Sequence, residues 1–299
     1  MTSLELACVA ILTLWLVLAS RGRPPRFFEE VALVAVAGLL GEDSCVRGYG
    51  FYSYSRTSWS VFVDRAPLLI AAIWPAIVLS ARAIARQLAP APPHARVWHL
   101  PAITGAIVIF DAALIEPIAV RAGLWTWTQH GMFSVPVIGI VGWGFFAAAV
   151  TACLEHLRGW ARGWALVVPA LATHAALVAS WWGLFRWVLR GRIDDMVATG
   201  FILACAAIYM FLVLKRQARL PKSELSARAV ATLFFVYLLV LHHNKALIVF
   251  AMAFTPPYLA LTLLSLAGLK DPPASPSSKG SPKHGGRSGR RGATPSRAP

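Results

Sequence analysis

The chain has 299 residues, of which 58% are hydrophobic and only 14% are charged. This balance lies outside the range of water-soluble domains, and it excludes a water-soluble packed core as the main architecture. The formal net charge of +15 would suit a nucleic acid. However, the basic C-terminal residues lack a folded motif and interleaved aromatic rings, so we expect no nucleic acid partner.

Apolar runs long enough to cross about 30 Å of hydrocarbon recur along the whole chain. They predict an all-α fold, a polytopic integral membrane helical bundle of about eight or nine transmembrane helices. The second run is short and begins with Glu29 and Glu30, and a short polar group separates the last two, so seven spans is the lower alternative. The candidate spans lie near residues 4–20, 28–41, 66–84, 100–121, 135–153, 163–185, 196–214, 228–242 and 246–266.

Basic residues follow the first apolar run rather than precede it: Arg21, Arg23 and Arg26. The run therefore predicts an uncleaved anchor with its N-terminus outside, not a signal peptide. With nine spans, the loops assigned to the cytoplasm hold more Lys and Arg than the outer loops. We expect an integral protein of the bacterial inner membrane with a cytoplasmic C-terminus.

The composition changes near the C-terminus to Pro, Ser, Gly, Lys and Arg. Such a segment has too few apolar residues to offset the entropy lost on ordering. We therefore predict a transmembrane domain of residues 1–268 followed by a disordered basic tail of residues 269–299. The tail would attract anionic membrane lipid by about 1 kcal/mol per basic residue near the surface.

Metal and phosphate motifs are missing from the sequence. The four cysteines lie in separate segments without a CxxC pair, and neither a P-loop nor a DxxxD motif is present. Asp194 and Asp195 lie beside Arg190 and Arg192, and we interpret this group as a solvated loop rather than a metal clamp. We expect no metal and no organic cofactor.

Two segments, residues 41–59 and 111–127, combine carboxylates with aromatic rings. With nine spans, both segments lie on the outer side of the membrane. A carboxylate inside a transmembrane helix costs about 2.5 to 3.5 kcal/mol, so it tends to persist where it has a function or a partner. We predict that both segments line one cavity near the membrane interface. The predicted catalytic residues are Asp111, Glu116, Glu42 and Asp43, and the predicted substrate-binding residues are Tyr49, Tyr52, Tyr54, Trp125, Trp127 and Trp143.

The same segments resemble a known family. Glu42 followed by RGYGFYSYS, the run PLLIAAIW, and Asp111 followed by EPIAVRAGLWTW and VPVIGIVGW occur in a similar order and spacing in membrane carotenoid-biosynthesis proteins of the bisanhydrobacterioruberin and γ-carotene hydratase type. The likeness covers residues 28–155. Two departures are Glu116, where the family has Asp before Pro, and Gly139 to Val141, where it has Asn ahead of the Gly-Trp pair.

This resemblance implies a cofactor-independent enzyme that adds water to the terminal double bond of a carotenoid. It also implies a distant relationship to the small membrane lycopene cyclases, which begin with the same protonation. The expected partners are a hydrophobic polyene or polyprenyl substrate, membrane lipid and other enzymes of the same pathway.

The residue types suit that chemistry independently of the resemblance. Protonating an alkene needs an acid that stays neutral, and burial in hydrocarbon favours the neutral form of Asp or Glu. Asp111 is the first choice of acid, because it lies deeper in its apolar run than Glu116, and Glu42 or Asp43 would hold the water or act as base. Aromatic faces would stabilise the cation, which water converts to an alcohol or an internal alkene converts to a ring.

Other interpretations of these residues are open. Trp125 and Trp127 would also suit an interfacial aromatic belt, and Arg47 or Arg121 would suit ion pairing with one of the acids. His174 fits a hydrogen bond between helices better than a catalytic base. A non-enzymatic transporter or assembly subunit would use the same carboxylates to carry protons or bind a cation, although no internal repeat is evident.

Overall fold

The computed structural model describes residues 1–90, 96–188, 193–242 and 244–268. The predicted tail of residues 269–299, Arg190, Arg192 and His243 lie outside these ranges. The described chain is an all-α bundle, as predicted. Its helices are α1 (Ser3–Ala19), α2 (Arg26–Tyr49), α3 (Leu68–Leu88), α4 (His99–Arg121), α5 (Val137–His156), α6 (Val168–Ser180), α7 (Arg186–Val188), α8 (Asp195–Arg216), α9 (Lys222–Leu241), α10 (Lys245–Met252) and α11 (Thr255–Ala267).

Six helical spans among the described residues are long and apolar enough to cross a membrane, or seven if the bent pair α10 and α11 forms one span. The expected count of eight or nine is therefore too high by this measure. Helix α1 has only 17 residues, and α2 carries Glu29, Glu30, Glu42 and Asp43 along its length. The six spans that are long and apolar enough are α3, α4, α5, α6 with the following π-helix (Trp181–Phe185), α8 and α9.

Small residues bring the central helices into close contact. A Cβ atom added to Gly105 of α4 would lie 2.8 Å from the carbonyl oxygen of Gly144 in α5, and one added to Gly144 would lie 2.3 Å from Ile109. Similarly, Gly38 of α2 faces the Trp74 ring of α3. Lipid supplies no hydrophobic force between helices, so this close backbone approach is how the bundle gains its packing energy.

The two ends of the bundle differ in chemistry. At one end, the buried side chain of Arg82 pairs with Glu30, and Arg162 of a 3-10 helix (Gly159–Leu166) pairs with Glu29 at 2.7 Å. At the opposite end lie two short antiparallel sheets. They are formed by β1 (Tyr52–Tyr54) with β4 (Trp125–Trp127) and by β2 (Phe62–Val63) with β3 (Ala66–Pro67). The ion pairs at the first end connect α2, α3 and the 3-10 helix, and the sheets at the opposite end cover the candidate site.

Candidate functional site

The sheet of β1 and β4 places four aromatic side chains on one face. Tyr52 is paired with Trp127, and Tyr54 is paired with Trp125. Alternate residues of a strand point to the same face, so these four rings turn inward while the intervening Ser53 and Thr126 are exposed. The two ring pairs have centroid distances of 4.7 and 5.9 Å.

The rings of β1 hold the carboxyl group of Glu42, which projects from α2. The hydroxyls of Tyr52 and Tyr54 donate to Oε2 of Glu42 at 2.5 and 2.7 Å. The indole N–H of Trp74 donates to Oε1 at 3.1 Å. Both oxygens of this buried carboxyl group therefore accept hydrogen bonds.

The rings of β4 hold the carboxyl group of Glu116, which projects from α4. The indole N–H groups of Trp125 and Trp127 both donate to Oε2 of Glu116, at 2.7 and 3.0 Å. Glu116 is only 1% exposed and Trp125 only 6%. These two Trp side chains are therefore hydrogen-bond donors to a buried carboxyl group, and the alternative of a lipid-facing aromatic belt does not describe them.

Both carboxyl groups line one cavity of about 830 Å³. The cavity walls are mostly apolar, and Tyr49 and Trp143 of the predicted set also line them. Trp143 packs against Trp74 with a centroid distance of 5.0 Å. The cavity is large, apolar and provided with two carboxyl groups, as expected of a site for a hydrophobic substrate that undergoes acid–base chemistry.

Burial affects the phenol groups on β1. It raises the pKa of Tyr52 and Tyr54 well above the ordinary value, and the nearby Glu42 adds to the effect. Both phenols consequently keep their protons at neutral pH, and they act as hydrogen-bond donors to Glu42 rather than as bases.

Asp111 occupies a different part of the cavity wall. Its carboxylate forms an ion pair with Arg228 of α9 at 3.0 Å and accepts a hydrogen bond from the hydroxyl of Tyr258 in α11. Its ion-pair partner is therefore Arg228, and not Arg47 or Arg121, which were the alternatives for pairing with one of the acids. The expected order of burial was wrong, because 13% of the Asp111 side chain is exposed whereas Glu116 is fully buried.

The model of a family described as carotenoid biosynthesis protein matches residues 6–189. The chain belongs to this family. No curated protein and no solved structure matches it. A role in carotenoid biosynthesis implies a hydrophobic polyene substrate and contact with membrane lipid. The matched segment contains Glu42, Asp111, Glu116 and the sheet, but it ends before Arg228 and Tyr258.

Asp43 is the predicted site residue that the structure separates from the others. It lies next to Glu42 on α2 but on another side of the helix, away from the cavity lining. Its carboxylate accepts from Arg47 at 3.3 Å and from the backbone N–H of Arg65 at 3.0 Å. Adjacent residues of a helix differ by about 100° in direction, which explains why only one of the pair reaches the cavity.

Tyr49 contacts the cavity and also joins two helices. Its hydroxyl lies 2.8 Å from Nδ1 of His174 in α6, and Nε2 of the same ring lies 2.8 Å from the hydroxyl of Ser44. The predicted helix-to-helix hydrogen bond of His174 is thus confirmed. Within the described ranges, no group of three His, Cys, Asp or Glu residues could hold a metal ion.

Sequence reasoning missed Trp74, Arg228 and Tyr258. Trp74 lies in an apolar run, where the sequence does not distinguish a Trp of the packed core from a Trp that binds a site residue. Arg228 did carry a signal, since an arginine at the start of an apolar run is as unfavourable in a membrane as the carboxylates that were singled out.

The glycine at position 139 also has a structural reason. A Cβ atom there would lie 2.4 Å from Cη2 of Trp127, so glycine leaves room for the ring that holds Glu116.

Proposed function

We propose that this carotenoid biosynthesis protein adds water to a terminal double bond of a carotenoid or related polyprenyl chain within the membrane. The observation that carries the proposal is the pair of buried carboxyl groups, Glu42 and Glu116, held by opposite strands of one sheet against one apolar cavity. Each supplies one half of the acid–base chemistry that alkene hydration requires.

The hydrogen bonds favour Glu116 as the acid. Both indole N–H groups donate to its Oε2, so Oε1 can carry the transferable proton. Glu42 instead accepts hydrogen bonds on both oxygens, so neither oxygen is left without a donor, and we assign it the role of the ionised partner. Two carboxyl groups that face one cavity avoid being ionised together, so one neutral and one charged group is the stable combination.

Asp111 is a weaker candidate for the acid than its sequence position implied. The guanidinium of Arg228 lies 3.0 Å from the carboxyl group of Asp111 and forms an ion pair with it. We therefore assign the proton donor to Glu116 and keep Asp111 as a paired anion.

Hydration then proceeds in two steps. The O–H bond at Glu116 Oε1 breaks, and its proton forms a C–H bond at the less substituted alkene carbon, which leaves a tertiary carbocation. The faces of Trp127 and Tyr52 stabilise this cation by about 2 kcal/mol each when water is excluded. A water oxygen then bonds to the cation, and Glu42 takes the proton that the water releases. One proton must return from Glu42 to Glu116 before the next turnover.

Cyclisation is the second candidate, and the mostly apolar cavity wall favours it. Without a bound water, an internal alkene attacks the same cation and a ring forms. A non-catalytic role in transport or assembly would leave the polyene unchanged.

The experiment uses the full-length protein in lipid nanodiscs with an acyclic carotenoid in ¹⁸O-labelled water. Mass spectrometry detects hydration as an ¹⁸O-labelled alcohol, chromatography separates a cyclised isomer that has the mass of the substrate, and a non-catalytic protein leaves only the substrate. We expect the alcohol. Glu116→Gln should lower turnover about 100-fold or more, because the amide has no transferable proton.

Two matched controls remove a carboxylate away from the cavity: Glu155→Gln, which loses its ion pair with Arg86, and Asp43→Asn. Both should stay within about twofold of the unmodified rate. A Glu116→Gln protein that keeps its rate, with Asp111→Asn losing it, would return the acid to Asp111.

A further inference from the structure

The helices that follow the family-matched segment form one wall of the cavity. Arg228 of α9 and Tyr258 of α11 reach across to Asp111 of α4 and Ser80 of α3. We call these four residues the polar cluster. All four line the same cavity as Glu42 and Glu116, whose remaining walls are mostly apolar.

The hydrogen bonds within the polar cluster leave donors unused. Arg228 donates from Nη1 to Ser80 at 2.6 Å and from Nη2 to both carboxylate oxygens of Asp111, at 3.0 and 3.3 Å. These are the hydrogen bonds of Arg228 among the described residues, whereas a guanidinium has five N–H groups. The hydroxyl of Ser80 accepts from Arg228, and its own proton is available to an acceptor.

The polar cluster is not sealed between helices. The side chains of Arg228 and Asp111 remain 18% and 13% exposed, and both face the cavity. If the only requirement were to pack α9 against α4, apolar residues would serve as well, since a buried ion pair is often no more stable than its apolar replacement. Charged groups left facing an apolar cavity therefore point to a ligand with a polar atom.

The charge of the polar cluster restricts that ligand. The positive charge of Arg228 is balanced by Asp111, so the cluster as a whole is neutral and offers no excess charge to a phosphate or carboxylate. Its unused groups are donors, which suit a neutral acceptor oxygen. Asp111 precedes Glu116 by five residues of one helix, about 7.5 Å along the axis, so the bound oxygen is distinct from the one added at Glu116.

We propose that the polar cluster binds a hydroxyl or carbonyl oxygen that the polyene already carries before it reaches this site. The proposal rests on the proposed function, since it takes the reacting end of the polyene to lie at Glu116. It implies that a reaction that introduces an oxygen atom, by hydration or by oxidation, precedes this one and supplies its substrate. The residues outside the family-matched segment, Arg228 and Tyr258, then set the preference for an oxygenated chain.

The test measures binding rather than turnover. The Glu116→Gln protein in nanodiscs is titrated with an acyclic carotenoid hydrocarbon and with the same carotenoid carrying one hydroxyl or keto group, and the shift of the visible absorption band gives each Kd. We expect the oxygenated ligand to bind about tenfold more tightly. Ser80→Ala and Arg228→Lys, which each remove donors while keeping the charge balance, should reduce that preference to about threefold or less.

The matched controls are Ser226→Ala in α9 and Arg216→Lys in α8, both at exposed positions, and they should leave the preference unchanged. Equal affinities for the two ligands, or a preference that survives in both Ser80→Ala and Arg228→Lys, would overturn the proposal. If the oxygenated ligand binds more tightly but the unmodified protein forms no alcohol, the hydration function is refuted while the binding role of the polar cluster is supported. The absence of binding by either ligand contradicts both.

Discussion

Gly139→Ala tests how the sheet positions the acid. The added Cβ atom would lie 2.4, 2.6 and 3.1 Å from Cη2, Cζ2 and Cζ3 of Trp127. Carbon atoms pack best at about 3.5 to 4.0 Å, so the ring or helix α5 must move by about 1 Å. The hydrogen bond from Trp127 to Glu116 is 3.0 Å long, and that movement takes it beyond hydrogen-bonding distance.

The expected result is a fall in turnover of about tenfold, because the acid loses one of its two indole donors. Overpacking should also lower the free energy of unfolding by about 1 to 3 kcal/mol. Turnover is measured as product formed in nanodiscs, and thermal unfolding is followed in parallel. Gly200→Ala is the matched control, since no atom lies within 4 Å of its Cβ position.

The double variant Gly139→Ala/Trp127→Phe separates this mechanism from a general disturbance of α5. The three atoms that clash belong to the six-membered part of the indole, which phenylalanine does not place there. Alanine at 139 should therefore add little to the effect of Trp127→Phe alone. An equal fall in both backgrounds, or no fall in Gly139→Ala itself, would refute the argument.

Arg228→Met should lower the free energy of unfolding by about 3 to 5 kcal/mol, because it leaves Asp111 charged and unpaired, and the double variant with Asp111→Asn should recover most of that loss in a thermal melt. A cysteine at Ser55 should react with an impermeant thiol reagent added outside intact cells, and one at Gln217 only after permeabilisation; the reverse pattern would invert the predicted orientation. Turnover should be unchanged by a metal chelator, and a loss that a specific metal restores would contradict cofactor-independent chemistry.

The sequence by itself determined that the chain is a membrane bundle and where its chemistry lies. Long apolar runs allow little except membrane helices, and this conclusion depends only on local composition. Glu42, Glu116 and the rings of both strands were identified because buried carboxylates are unfavourable enough in a membrane to be conspicuous. The number of spans did not follow from local composition, since a helix such as α2 combines spanning length with charges that partner side chains accommodate.

Only the tertiary structure decided which partner each acid has. Asp111 and Arg228 lie 117 residues apart, and nothing local relates them. The pairing of Tyr52 with Trp127 and of Tyr54 with Trp125 depends on strand register. It brings the two strands together so that the tyrosines of β1 donate to Glu42 and the tryptophans of β4 donate to Glu116. The protonation state of a buried carboxyl group is set by the donors and charges within a few ångströms of it, and those neighbours are fixed by helix packing. For that reason the sequence could name the acids, but their separate roles follow from the fold.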